Sequence, residues 1–148
     1  MKWPFLIGRL VFGGYFAYAG INHFLQKKNL TQYVSAKNVP MPDVAVTATG
    51  LALLLGGSSI LLGLKPKLGT AVIVGFLLGV SPVMHNFWRD EDPNERMHDM
   101  TDFMKNMALL GGALALTAVE EPWPASVPIA HPGVVERAKK PVWRVMAA

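Results

Sequence analysis

The chain has 148 residues, of which 51% are hydrophobic and only 16% charged, a balance too apolar for an ordinary soluble domain of this size. It contains no cysteine, which excludes a disulfide, a thiol relay and a cysteine-ligated metal cluster. The formal charge of +4 is modest, and most basic residues flank apolar runs, so membrane-surface contact explains them better than nucleic acid does.

The first apolar run, about residues 5–25, is long enough as a helix to cross the roughly 30 Å of a bilayer's hydrocarbon core. Arg9, Gly13, Phe16, Gly20 and His23 recur at steps of four and three, which puts them on one face for a neighbouring helix to approach. Arg9 interrupts the apolar region that a signal peptide needs, so the segment is expected to be a retained span. Close to the hydrocarbon edge, its side chain is expected to snorkel to the headgroups. Lys2 and Trp3 precede the span, a charge and an interfacial aromatic where membrane segments tend to carry them.

From Gln26 to Asp43 the sequence is polar, and with Pro40 and Pro42 it reads as a loop. A second span is expected over about 44–64, rich in glycine and free of charge. After the tight connection at Lys65, Pro66 and Lys67 comes a third over 68–84, with Gly75 and Gly79 four apart. Gly13, Gly20, Gly57, Gly75 and Gly79 are the expected helix-packing positions. Pro82 precedes a polar-aromatic cluster of His85, Asn86, Phe87 and Trp88. The charged stretch 89–102 reads as a solvated loop or surface helix, and the fourth span is expected over 103–119. Met100, Met104 and Met107 step along one face there and are expected to serve packing.

These spans predict an all-α, antiparallel four-helix integral membrane bundle over residues 1–119 and an extended, basic, proline-rich tail over 120–148. In the tail, Trp123, Trp143 and Arg144 are the expected contacts to a partner. Four spans put both termini on one side with Lys65 and Lys67, and lysines in so short a loop favour the cytoplasm. The first and third helices then run the same way and bring Asn22, His23, His85, Asn86 and Trp88 to one membrane face, an expected ligand-contacting rim. An imidazole there can donate a hydrogen bond to a carbonyl-bearing ligand such as a quinone. No two histidines have a metal-site spacing, so no metal is expected. No catalytic residue is assignable from spacing alone.

Taken together, Arg9, Gly13, Phe16 and Gly20, Tyr33 and Pro40, Gly56 and Gly57 with Gly63 and Leu64, and His85 with Phe87 and Trp88 resemble the DoxX family over roughly residues 5–119. The resemblance implies a small four-helix protein of the prokaryotic inner membrane. Some relatives are membrane subunits of a thiosulfate:quinone oxidoreductase, and others are partners of soluble redox enzymes. Where many relatives carry a glutamate before the paired glycines of the second helix, this chain has Leu53.

Two functions follow as expectations. The first is a non-catalytic accessory subunit of a larger electron-transfer or photosynthetic membrane complex, contacting lipids and other membrane subunits and docking through its tail, with quinone, lipid or pigment at its helix interfaces. The alternative is a quinone-linked membrane subunit of an oxidoreductase, with His23 and His85 as polar contacts and Trp88 as a stacking wall. A transporter fits less well, since the spans lack internal charge pairs and broken helices. The missing glutamate and the tail favour the accessory subunit.

Overall fold

The computed structural model describes residues 3–127, and all regular structure among them is helical. Five helices follow one another: α1 (Trp3–Leu25), α2 (Lys27–Ala36), α3 (Pro42–Leu62), α4 (Pro66–Met84) and α5 (Pro93–Thr117). Of these, α1, α3 and α4 are long and apolar enough to cross a membrane.

Proline sets three of the helix starts. Pro42, Pro66 and Pro93 each open a helix, where the missing N–H would have had no intrahelical partner and the fixed φ suits the first turn. Pro42 therefore begins α3 rather than ending a loop. Asp92 caps α5, its Oδ1 accepting from the backbone N–H of Asn94 at 2.8 Å and of Glu95 at 3.0 Å. At the other end of α3, Gly63 (φ 71°) closes the helix in the left-handed region, and Ser59 Oγ donates to Leu64 O at 2.5 Å. Lys65 is also left-handed, so the chain reverses into α4 within three residues.

The tightest packing is between α1 and α3. A Cβ on Gly13 would lie 2.8 Å from the Leu61 nitrogen, and one on Gly57 would lie 2.8 Å from Gly13 O. One on Gly20 would meet the Leu54 backbone and lie 2.8 Å from Gly50 O. These glycines let the two backbones touch over three turns. On its other side α3 meets α4 through Gly56 and Gly69, with Ile73 between them. Phe16, Leu53, Ile60, Ile73, Leu77 and Trp123 form the core. Leu53 is 1% exposed within it.

Several expectations are corrected here. The polar stretch after α1 is not a loop but contains α2. The helix expected over 103–119 starts ten residues earlier, and α5 is not among the helices apolar enough to span: after Lys105 it continues for only twelve residues, about 18 Å. Met100 and Met104 face outward on it rather than into the bundle. Gly75 and Gly79 serve no helix contact within the chain, because a Cβ at either would meet nothing within 4 Å.

Arg9 and Trp123 are the largest departures. Arg9 does not snorkel: it is 4% exposed and donates through Nη1 to Pro124 O at 2.6 Å and through Nη2 to Ala125 O at 3.1 Å. Trp123 is 2% exposed, packed edge-on against Phe5 with ring centres 5.4 Å apart, and its Nε1–H donates to Val119 O at 3.3 Å. An indole so buried in its own chain has no surface to offer a partner. The segment is fastened further by Lys67 N–H donating to Glu121 Oε1 at 3.1 Å and Val127 N–H to Leu62 O at 3.0 Å. Trp143 and Arg144, the other expected docking residues, lie outside the described residues.

The glycine contrast is measurable. Gly57→Ala should lower the thermal midpoint in detergent, at about 1–3 kcal/mol for overpacking, whereas Gly75→Ala should be neutral or stabilise by up to about 1 kcal/mol. Equal midpoints for the two variants would contradict the assignment of α1–α3 as the close contact.

Candidate functional site

Where the C-terminal ends of α1 and α4 meet α2 and the start of α3, the helices line a half-open cavity of about 430 Å³. Its walls are mostly aliphatic, with Val46, Phe76, Val80 and Met84 among them, and its polar groups are few: His23, Tyr33, Thr49 and His85. Gly75 and Gly79 line it too, so their missing side chains make the space rather than a helix contact. An apolar cleft of this volume with a few convergent polar groups is what small-molecule sites tend to look like.

Two of these polar groups are held by their own helices. His23 Nδ1–H donates to Ala19 O one turn back at 2.8 Å, which leaves Nε2 as its other polar atom. Its position depends on Gly50, whose Cβ would come 2.8 Å from His23 Cβ. The Thr49 hydroxyl donates to Ala45 O at 2.7 Å within its own helix. Tyr33 comes from α2, the element that closes the cavity on the polar side.

His85 is anchored by α5. Its Nδ1 is buried without a hydrogen-bond partner among the described residues and lies 3.5 Å from Asp99 Oδ1, while Lys37 Nζ donates to Asp99 Oδ2 at 2.6 Å. Burial pushes the Asp99 carboxyl up, but the Lys37 hydrogen bond and charge, with His85, outweigh it and hold Asp99 below the ordinary carboxylate value. The same hydrogen bond raises Lys37 against the opposing effect of burial. Burial raises the Tyr33 phenol, with Asp99, Asp102 and Asp90 adding to the shift against Lys37. Further out, Asp102 receives Lys105 at 2.9 Å, which lowers its carboxyl, and His98 Nδ1 lies 3.5 Å from Asp102 and 4.0 Å from Asp99.

Two more hollows adjoin this cluster. A polar one of about 570 Å³ is lined by Tyr33, Lys37, Glu95, His98 and Asp99. A wider cleft of about 890 Å³ runs between α1 and α5, with Tyr15, Asp102, Lys105 and Asn106 on its walls and His85 at its edge.

The expected rim is thus partly assembled. His23 and His85 line one cavity, whereas Asn22 and Asn86 are half-buried beside it and do not line it. Trp88 is 51% exposed and joins Phe87 and Phe103 in an edge-on aromatic group, with centres 5.1–5.9 Å apart, so it forms no wall of the cavity. Lys37 and Asp99 escape a reading of the sequence because 62 positions separate them. Among the described residues no group of three metal-ligating side chains comes together.

The family model for DoxX matches residues 5–86, which takes in α1 to α4 and ends one residue past His85. No curated protein and no solved structure matches the chain.

The buried pair makes stability depend on pH in a defined direction. Asp99 titrates lower in the folded chain, so its contribution is complete above the ordinary value of 3.8 and is lost as pH falls through the folded one. Lys37 titrates higher, so its contribution is complete below 10.5 and is lost as pH rises through its folded value. At pH 7, Asp99→Asn should destabilise by about 3 kcal/mol, and the double variant Lys37→Met, Asp99→Asn by less, because it strands no lone charge. Thermal unfolding in detergent from acid to alkaline pH checks both the sign and the order.

Proposed function

The chain belongs to the DoxX family, and from that premise we propose that it is a membrane subunit which binds an apolar, carbonyl-bearing small molecule of the quinone class in the cavity between α1, α2, α3 and α4. The single observation that carries this reading is the convergence of His23 and His85, 62 residues apart in sequence, on one mostly aliphatic space opened by Gly75 and Gly79. An apolar ring fits its aliphatic walls, and the imidazoles and the Tyr33 hydroxyl supply partners for ring oxygens.

In this reading α1, α3, α4 and α5 form an antiparallel four-helix bundle in a prokaryotic inner membrane. The pairing of Gly13 with Gly57 and of Gly20 with Gly50 supports opposite directions for α1 and α3. The lysines of the short α3–α4 turn favour the cytoplasm for that turn and for the start of α1, with the cavity near the periplasmic face. His85 and His23 orient the ligand, Tyr33 and α2 shield it from water, and the exchange of electrons belongs to a partner redox protein.

The accessory-subunit reading draws on a different feature, the cleft of about 890 Å³ between α1 and α5. It loses its docking anchor at Trp123, which is consumed by the chain's own core. That loss places the ligand-binding reading first.

Purification in a mild detergent, solvent extraction and mass spectrometry separate the two. A quinone-class molecule should accompany the wild-type protein and be lost from Gly79→Phe, which fills the cavity, while the thermal midpoint of the variant stays within a few degrees. An equal complement of small molecules in both proteins, or co-elution with stoichiometric larger membrane subunits and no quinone, would overturn the ligand-binding reading.

A further inference from the structure

The open side of the cavity is set by two residues that have no side chains. On α4 the positions buried in the bundle include Ile73, Leu77, Ser81 and Met84, which share one face. Gly75 and Gly79 follow Ile73 and Leu77 by two residues each, about 200° around the helix, and so lie on its outward face. They are exposed there, and a Cβ on either would meet nothing within 4 Å, yet both line the cavity. The space therefore reaches round α4 to its outer surface, and the two glycines form its lip.

What lies beyond that lip follows from the helix that carries it. α4 is long and apolar enough to cross a membrane, and the exposed residues sharing the glycine face, Leu68, Val72 and Val83, are all apolar. In a bilayer this face meets lipid tails, so the cavity opens sideways into hydrocarbon. Gly75 lies ten residues before His85, about 15 Å along the axis, which is half the thickness of the hydrocarbon core. The groups able to meet a ligand oxygen gather at the other end, with His23 near the end of α1, Tyr33 on α2 and His85 at the end of α4. Thr49 adds no donor, since its hydroxyl donates to Ala45 O. The result is a slot that is polar at the membrane surface and apolar along its length.

We propose that the ligand of this cavity is a membrane-resident molecule with an oxygen-bearing ring and a long apolar chain, the ring held among His23, Tyr33 and His85 and the chain leaving through the Gly75–Gly79 lip into the bilayer. The inference rests on the cavity being a ligand site, and adds to it the ligand's chain, its orientation and its route. A space of about 430 Å³ lies in the lower part of the range for sites that enclose a whole small molecule, so a chain long enough to anchor its bearer in lipid overruns it. On the polar side α2 covers the space with Leu30, Tyr33 and Val34. Exchange with ligand dissolved in the bilayer then needs no movement of helices, because the lip is open. The chain gains little from the protein that lipid tails would not give it, so the glycines serve passage rather than grip.

The test uses the full chain in nanodiscs and two probes, a methoxy-substituted benzoquinone without a chain and the same ring bearing a decyl chain. Partition into empty nanodiscs of the same lipid puts both affinities on a scale of mole fraction in the bilayer. On that scale the wild-type protein should bind the two within about threefold of each other. Gly75→Leu, which places a side chain across the exit but about 15 Å from His85, should weaken the decyl probe by about tenfold and leave the chainless one unchanged. Gly111→Leu, at another exposed and unobstructed glycine that lies on α5 away from the cavity, should change neither. Should Gly75→Leu fail to fold, Gly75→Met supplies the same comparison with a more flexible side chain. Equal weakening of both probes, or of neither, would overturn the lip as a chain exit while leaving the ligand site standing. Failure of the wild-type chain to bind either probe would remove the ligand site and the proposal with it. Failure of both probes together with a co-purifying phospholipid that Gly75→Leu displaces would assign the slot to a lipid chain instead.

Discussion

The structure depends on the contact of two backbones without side chains between them. Gly13, Gly20, Gly50 and Gly57 bring α1 and α3 so close that a single methyl at three of these positions would lie 2.8 Å from a backbone atom. In a bilayer, where lipid tails are as apolar as leucine, such an approach holds helices together through dispersion and close packing rather than through release of water. The same contact sets the site. Gly50 admits His23 at the end of the interface, and α3 in turn positions α4, whose C-terminal half supplies the cavity's open wall and His85.

Charge is distributed according to the same logic at the two ends of the molecule. At one end Arg9 meets neither lipid headgroups nor a carboxylate but two backbone carbonyls, at Pro124 and Ala125, so that the segment after α5 serves as its solvent. Ala125 takes a left-handed φ of 56° there, an uncommon conformation for a residue with a Cβ, which the Arg9 hydrogen bond and the neighbouring buried Trp123 hold in place. At the other end Lys37, Asp99 and His85 form a buried polar cluster whose members come from α2, α5 and the end of α4. Opposite ends thus use opposite devices, neutral carbonyls against a lone cation and a paired carboxylate beside the cavity.

How much of this is legible in the sequence follows from the range of the signal. The three long apolar helices and the glycines at 13, 20 and 57 are visible because run length and a four-residue step are local patterns. His23 and His85 are also visible as a pair, since helices running in one direction bring their ends to one face. Gly75 and Gly79 show the same spacing as the packing glycines, and only the neighbours tell a contact from a void. The ten residues of α2 are polar on average and end near prolines, and their short stripe of Leu30, Tyr33 and Val34 covers barely one turn. Arg9 was expected among headgroups because its depth was judged from α1 alone, whereas its acceptors lie 115 and 116 positions away. Lys37 and Asp99 are 62 positions apart, and no spacing rule reaches that far.

The central claim is that the space between His23 and His85 holds a quinone-class ligand. Photo-crosslinking with an azido-quinone in native-like membranes, followed by peptide mapping, addresses it most directly. Adducts concentrated on α2 between Leu30 and Val34 and on α4 between Gly75 and His85, and diminished by excess unlabelled quinone, are the predicted result. Labelling confined to the outward faces, such as Met100 and Met104 of α5, and indifferent to competitor, would contradict it.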